Sequence, residues 1–180
     1  MRIRHLLGLV LLATLAGCTR THPGPIEEPE YPPRHAAPRG AEWRLAAPDG
    51  LALVTEALQQ ADVIHVLSLS PYPAATPAER FHEWPVLGTV AVTDPRTLSR
   101  VTAALQVQQA VGLTTCCWPR HGIRMNLRGQ PLDLVICFEC LQVQAHHGVR
   151  DLGVFQPAHA AEALLNGLLD QASVKRAPPA

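Results

Sequence analysis

Apart from one short stretch near its start, this 180-residue chain has no long apolar run. A membrane-spanning helix needs about 20 such residues, so no span is expected. Basic residues form no stripe, and aromatics, 4% of the chain, do not interleave with them. That argues against a nucleic-acid partner. The phosphate-binding loop and the dinucleotide fingerprint are both missing. Ser68 and Ser70 lack the G-x-S-x-G elbow of a hydrolase nucleophile. These absences leave no motif for nucleotide chemistry or acyl transfer, and the reading turns to targeting, cysteines and hydrophobic pattern.

The start of the chain carries the strongest signal. Met1-Arg2-Ile3-Arg4 is basic, Leu6 to Ala16 is apolar, and small residues follow. A basic head, a short apolar core and a small-residue cut site make an export signal. Leu15-Ala16-Gly17-Cys18 resembles the lipobox of bacterial lipoproteins. That resemblance implies removal of residues 1–17, lipid on Cys18 and a stable membrane anchor, since several acyl chains hold where one does not. Thr19, in place of the aspartate that retains such proteins at the inner membrane, implies the periplasmic face of the outer membrane. Removing Arg2 and Arg4 leaves thirteen basic against fifteen acidic residues, a net charge of −2. Export also places Cys116, Cys117, Cys137 and Cys140 in an oxidising compartment, where disulfides persist.

Residues 18–48 read as a lipidated cysteine followed by a tether. Pro23, Pro25, Pro29, Pro32, Pro33, Pro38 and Pro48 punctuate a stretch with few large apolar groups. Such composition buries too little surface to offset its ordering entropy. Residues 49–173 read as one globular domain and 174–180 as a disordered tail. Within the domain, Leu51, Val54, Ala57, Leu58 and Ala61 share a helical face after Asp49. Val63 to Leu69 and Val86 to Thr93 read as strands. Asp94-Pro95 reads as a helix start, with Leu98, Val101 and Leu105 on its apolar side and Gly112 at its end. A last helix follows Pro157, with Ala161, Leu164, Leu165, Leu168 and Ala172 on one side.

The segment between Cys116 and His147 is the most distinctive. His121–Leu127 and Leu132–Cys140 flank Arg128-Gly129-Gln130-Pro131, a hairpin signal. Alternation puts Ile123, Met125 and Leu127 on one face with Leu134, Ile136, Phe138 and Cys140. An Arg128-Gly129 loop sets Arg124 against Asp133 and Cys117 against Cys140. A Gly129-Gln130 loop sets Arg120 against Glu139. Both registers place Cys117 and Cys140 on one face and Cys137 on the other. Three readings of the cysteines stand side by side. They are a Cys117–Cys140 disulfide, buried thiols without chemistry, and a thiol-redox or zinc site built from Cys117, His121, Cys137 and Cys140. Residues three apart on a regular strand face opposite ways, so the last reading needs a bulge between Cys137 and Cys140.

Cys117-Trp118-Pro119-Arg120-His121-Gly122-Ile123-Arg124 and Asp133-Leu134-Val135-Ile136-Cys137-Phe138-Glu139-Cys140 resemble a pattern in an uncharacterised bacterial family, C-x-P-R-H-G-I-R followed by D-L-x-I-C-F-E-C. The resemblance implies a folded module and assigns no catalytic residue. Arg120, His121, Arg124, Asp133 and Glu139 form a polar motif that suits either an anionic ligand or cross-strand ion pairs, and the pairs are favoured. His65 reads as a core or edge histidine, and His146-His147 as an exposed strand end.

The expected fold is α+β: a two-layer, mostly antiparallel sheet of about four strands with amphipathic helices on one face. The expected function is that of a lipid-anchored envelope protein whose domain binds a partner or serves a structural role, with no cofactor. A thiol or metal protein is the alternative.

Overall fold

The computed structural model describes residues 46–72, 79–109 and 118–178. Cys18, the stretches expected to be a leader and most of a tether, and Cys116 and Cys117 lie outside the described residues. Among those described, three helices and eight strands alternate. They are α1 (Gly50–Gln60), β1 (Ile64–Leu69), β2 (Arg80–Phe81), β3 (Trp84–Val92), α2 (Pro95–Ala104), β4 (Gln108–Gln109), β5 (His121–Leu127), β6 (Gln130–Cys137), β7 (Gln142–His147), β8 (Arg150–Gln156) and α3 (Ala160–Gln171).

The strands form one sheet in the order β2-β3-β1-β5-β6-β7-β8-β4, and every pairing is antiparallel. The α+β class stands, whereas the expected four strands are eight. Two of the extra strands, β2 and β4, are two-residue pieces too short to leave a periodic pattern. The other two are β7 and β8. Gln142, Gln144, His146 and His147 make β7 read as polar, and it is held by its neighbours on both sides. Tertiary pairing outweighs weak strand propensity there.

The helices pack on one sheet face. Val54, Ala57 and Leu58 of α1, Val101 of α2, and Ala161, Leu165 and Leu169 of α3 share a core with Ile64, Val66, Ile123, Leu134 and Phe155. The opposite face carries a smaller cluster of Leu67, Leu69, Phe81 and Val135, with Trp84 and Val86 against it. Phe81 reaches the sheet because position 122 is glycine. A Cβ there would stand 3.0 Å from the Phe81 ring, closer than side chains pack. At the end of the chain, Val174 packs against the main core and Ala177 is buried.

Local chemistry explains the element ends. The Asp94 carboxylate accepts from the Thr97 backbone N–H at 2.8 Å, and Pro95 follows it, a strong helix start. Asp49 precedes α1 without capping it. Its carboxylate instead takes Arg150 Nη2 at 2.6 Å and Nη1 at 3.0 Å, joining α1 to β8. Between β5 and β6, Arg128 and Gly129 both have positive φ, 53° and 78°. That is the two-residue turn whose twist matches a hairpin. It selects the register in which Arg124 faces Asp133.

Candidate functional site

Two groups of polar side chains lie on the sheet face away from the helices, one in the lower rows and one at the top. The lower group is a transverse row. Residues His65, Arg124, Asp133, His146 and Asp151 are successive partners across β1, β5, β6, β7 and β8. Directly opposed side chains on one face stand close enough to interact. Arg124 donates to Asp133 through Nε at 2.8 Å and Nη2 at 2.7 Å, a two-pronged pair. The Arg124 guanidinium also lies over the Phe81 ring, 5.1 Å from its centroid. Asp133 is buried, and desolvation raises its pKa. The hydrogen bonds from Arg124 and His82 outweigh that, so the carboxyl titrates below its ordinary value.

His82 comes from the two-residue turn between β2 and β3. Its φ of 55° is a left-handed conformation that a non-glycine residue seldom adopts. The ring is hydrogen-bonded through Nε2 to Asp133 Oδ2 at 3.1 Å and stacks on His146, with centroids 4.2 Å apart and planes at 28°. Asp133 is ionised, so Nε2 carries the proton and donates. Burial, then the positive potential of His82, holds His146 below the ordinary histidine pKa, with Asp151 and Asp133 pulling the other way. Two unit charges at such a separation repel by about 1 kcal/mol in water and about 4 kcal/mol at an effective dielectric of 20. The pair therefore accepts one proton far more readily than two.

The upper group is the cysteine end of the hairpin. Cys137 closes β6, and Cys140 is buried in the turn that follows, where Leu141 has φ 52°. The Cys137 sulfur accepts from the backbone N–H of Cys140 at 3.2 Å and of Trp118 at 3.4 Å. Arg120 Nη1 pairs with Glu139 Oε1 at 2.7 Å, so the two pairs expected as alternatives both form, Arg124–Asp133 in the ladder and Arg120–Glu139 just beyond it. The rest of the Arg120 guanidinium, Nε and Nη2, is buried without a hydrogen-bond partner.

His121 stands on the other side of the sheet from Cys137. It shares the face of Ile123 and Met125, beneath α3, where its Nε2 is 2.9 Å from Asn166 Oδ1 and its ring meets Phe138 edge-on. Nδ1 is buried and unpartnered, as is the hydroxyl of Ser68, its neighbour across β1 and β5. Burial lowers the His121 pKa to about 4, so the ring is neutral at ordinary pH. Among the described residues, no group of three or more His, Cys, Asp or Glu side chains is arranged to hold a metal ion.

No family model, curated protein or solved structure matches the chain. The site is therefore read from its own residues. A groove of about 930 Å³ also lies between α1 and α2, with Thr55, Gln59, Asp62, Ser99, Thr102 and Gln106 on its walls. It carries a single carboxylate and no aromatic side chain.

Strand alternation offered Arg124 opposite Asp133 as one of two registers, and the ladder has that one. Sequence reasoning missed His82 and the row through His146. The sequence signal was slight: a His-Glu pair inside the aromatic-flanked segment from Phe81 to Trp84. Its ring reaches Asp133 only because β3 lies two strands from β5 and carries the turn back across the sheet.

Proposed function

We propose that the chain is an exported lipoprotein anchored by lipid on Cys18, holding an α+β domain clear of the membrane as a binding or structural module for an envelope partner. The observation that carries this is Leu15-Ala16-Gly17-Cys18 after a basic head and an apolar core. A proline-rich stretch separates Cys18 from the folded domain, and proline-rich chain extends about 3 Å per residue. That gives a reach of several tens of ångströms. No helix among the described residues is long and apolar enough to cross a membrane. The anchoring is tested by metabolic labelling with palmitate. The full chain is expected to take label and sediment with membranes, and Cys18→Ser to lose both. An unlabelled wild-type chain overturns the proposal.

A second reading makes the domain a thiol or zinc protein through Cys117, His121, Cys137 and Cys140. The two backbone N–H groups aimed at the Cys137 sulfur favour it. His121 is the weakest member of that set, because its ring lies on the opposite sheet face and is engaged by Asn166. Intact mass and metal content of protein recovered from the envelope decide it. A bound metal, or a disulfide that cycles, supports the reading. Metal-free protein with inert cysteines sinks it.

A further inference from the structure

We propose that His82 and His146 form a proton-operated latch, which holds the β2–β3 turn on the open sheet face near neutral pH and releases it in acid. Three features of the geometry build the latch. The turn is a two-residue hairpin turn with a left-handed backbone at His82, φ 55°. The His82 ring is bound to the open sheet face by the hydrogen bond to Asp133 and the stack on His146. The turn in turn covers the smaller apolar cluster, since Phe81 and Trp84 flank it and pack on Leu67, Leu69 and Val135.

The charges facing the pair set its response. Arg124 of β5 occupies both oxygens of Asp133, so that carboxylate is already matched by one cation. Glu83 adjoins His82 in the turn, and Glu79 favours the Arg124 cation. Asp151 of β8 stands opposite His146 and favours its cation. His65 of β1 lies beyond Arg124 in the same row. A single proton shared by the pair leaves the His82–Asp133 bond in place. A second proton on His146 sets two cations face to face at 4.2 Å beside Arg124, three positive charges against the two carboxylates of Asp133 and Asp151. The stack then parts, the turn loses its hold, and Phe81 and Trp84 uncover the apolar cluster. This does not depend on the lipid anchor, so its failure leaves the proposed function standing.

The test is ¹⁹F NMR of the full chain labelled with 5-fluorotryptophan and followed from neutral to mildly acid pH. The Trp84 resonance is expected to move reversibly to a solvent-exposed position while the Trp118 resonance and the far-ultraviolet circular dichroism hold. His146→Phe keeps an aromatic stack and cannot take the second proton, so the Trp84 movement is expected to disappear. Asp151→Asn keeps an oxygen for the Gly153 N–H and removes the carboxylate. It is expected to shift the movement to lower pH, and it serves if His146→Phe does not fold. A Trp84 resonance that stays put until the whole fold collapses overturns the latch. So does a transition unchanged in both variants.

Discussion

His121 shows how much one buried ring can govern. It is 3% exposed, bonded on one nitrogen and orphaned on the other, and its pKa falls from 6.5 to about 4 because burial disfavours the cation. In the unfolded chain the ring takes a proton near pH 6.5; in the folded chain it resists until about pH 4. The unfolded state therefore binds more protons across that window, and stability falls as pH drops through it. The full loss is on the order of 3 kcal/mol. His121→Leu is expected to flatten the difference in urea midpoint between pH 7 and pH 5. A variant with the wild-type slope would place the acid sensitivity elsewhere. Asp133 acts in the same sense at lower pH, since its lowered pKa lends stability that is lost as pH falls through the carboxylate range. The same row holds the His82–His146 pair, so acid reaches this domain through two independent histidine sites on opposite sheet faces.

At the scale of elements, the two aspartates before helices separate a cap from a cross-link. Asp94 accepts from Thr97 N–H and Thr97 Oγ1, both at 2.8 Å, and so satisfies one of the donors a helix start leaves bare. Asp49 satisfies none in α1 and ties Arg150 instead. Asp94→Ala is expected to lower the thermal midpoint clearly, with Asp94→Asn recovering most of the loss. Asp49→Ala is expected to do less, and less again in high salt, because an exposed pair is screened. Calorimetry on the three variants checks the order. The helix start at Asp94-Pro95 was legible because capping is local chemistry, written in adjacent residues. The hairpin register was legible in part: alternation allowed two registers, and the positive φ at Arg128 and Gly129 selected one. The helix α2 ends at Ala104 rather than near Gly112, because Gln108 and Gln109 are drawn to the edge of β8. That competition is between distant segments and leaves no mark in a local window.

At the scale of the whole molecule, one sheet serves two cores. Strands β1, β5 and β6 send Ile64, Ile123 and Leu134 to the helix side, while β1 and β6 send Leu67 and Val135 to the other. Shared strands couple the two faces, so near neutral pH, with the latch closed, unfolding is expected to be a single transition. Phe81→Ala is expected to cost about 3–5 kcal/mol. It should lower that one transition for every probe rather than split it, and non-coincident fluorescence and circular-dichroism curves would show the cores to be separable. What the amino-acid sequence determined by itself is what depends on neighbours along the chain: the helix start at Asp94, and the alternation that makes β5 and β6 a hairpin. Only the tertiary structure decided that eight strands join rather than four, and that His82 meets Asp133 and His146. Those outcomes follow from pairing between segments tens of residues apart, where burial and cross-strand hydrogen bonds outweigh the weak preferences of short polar strands.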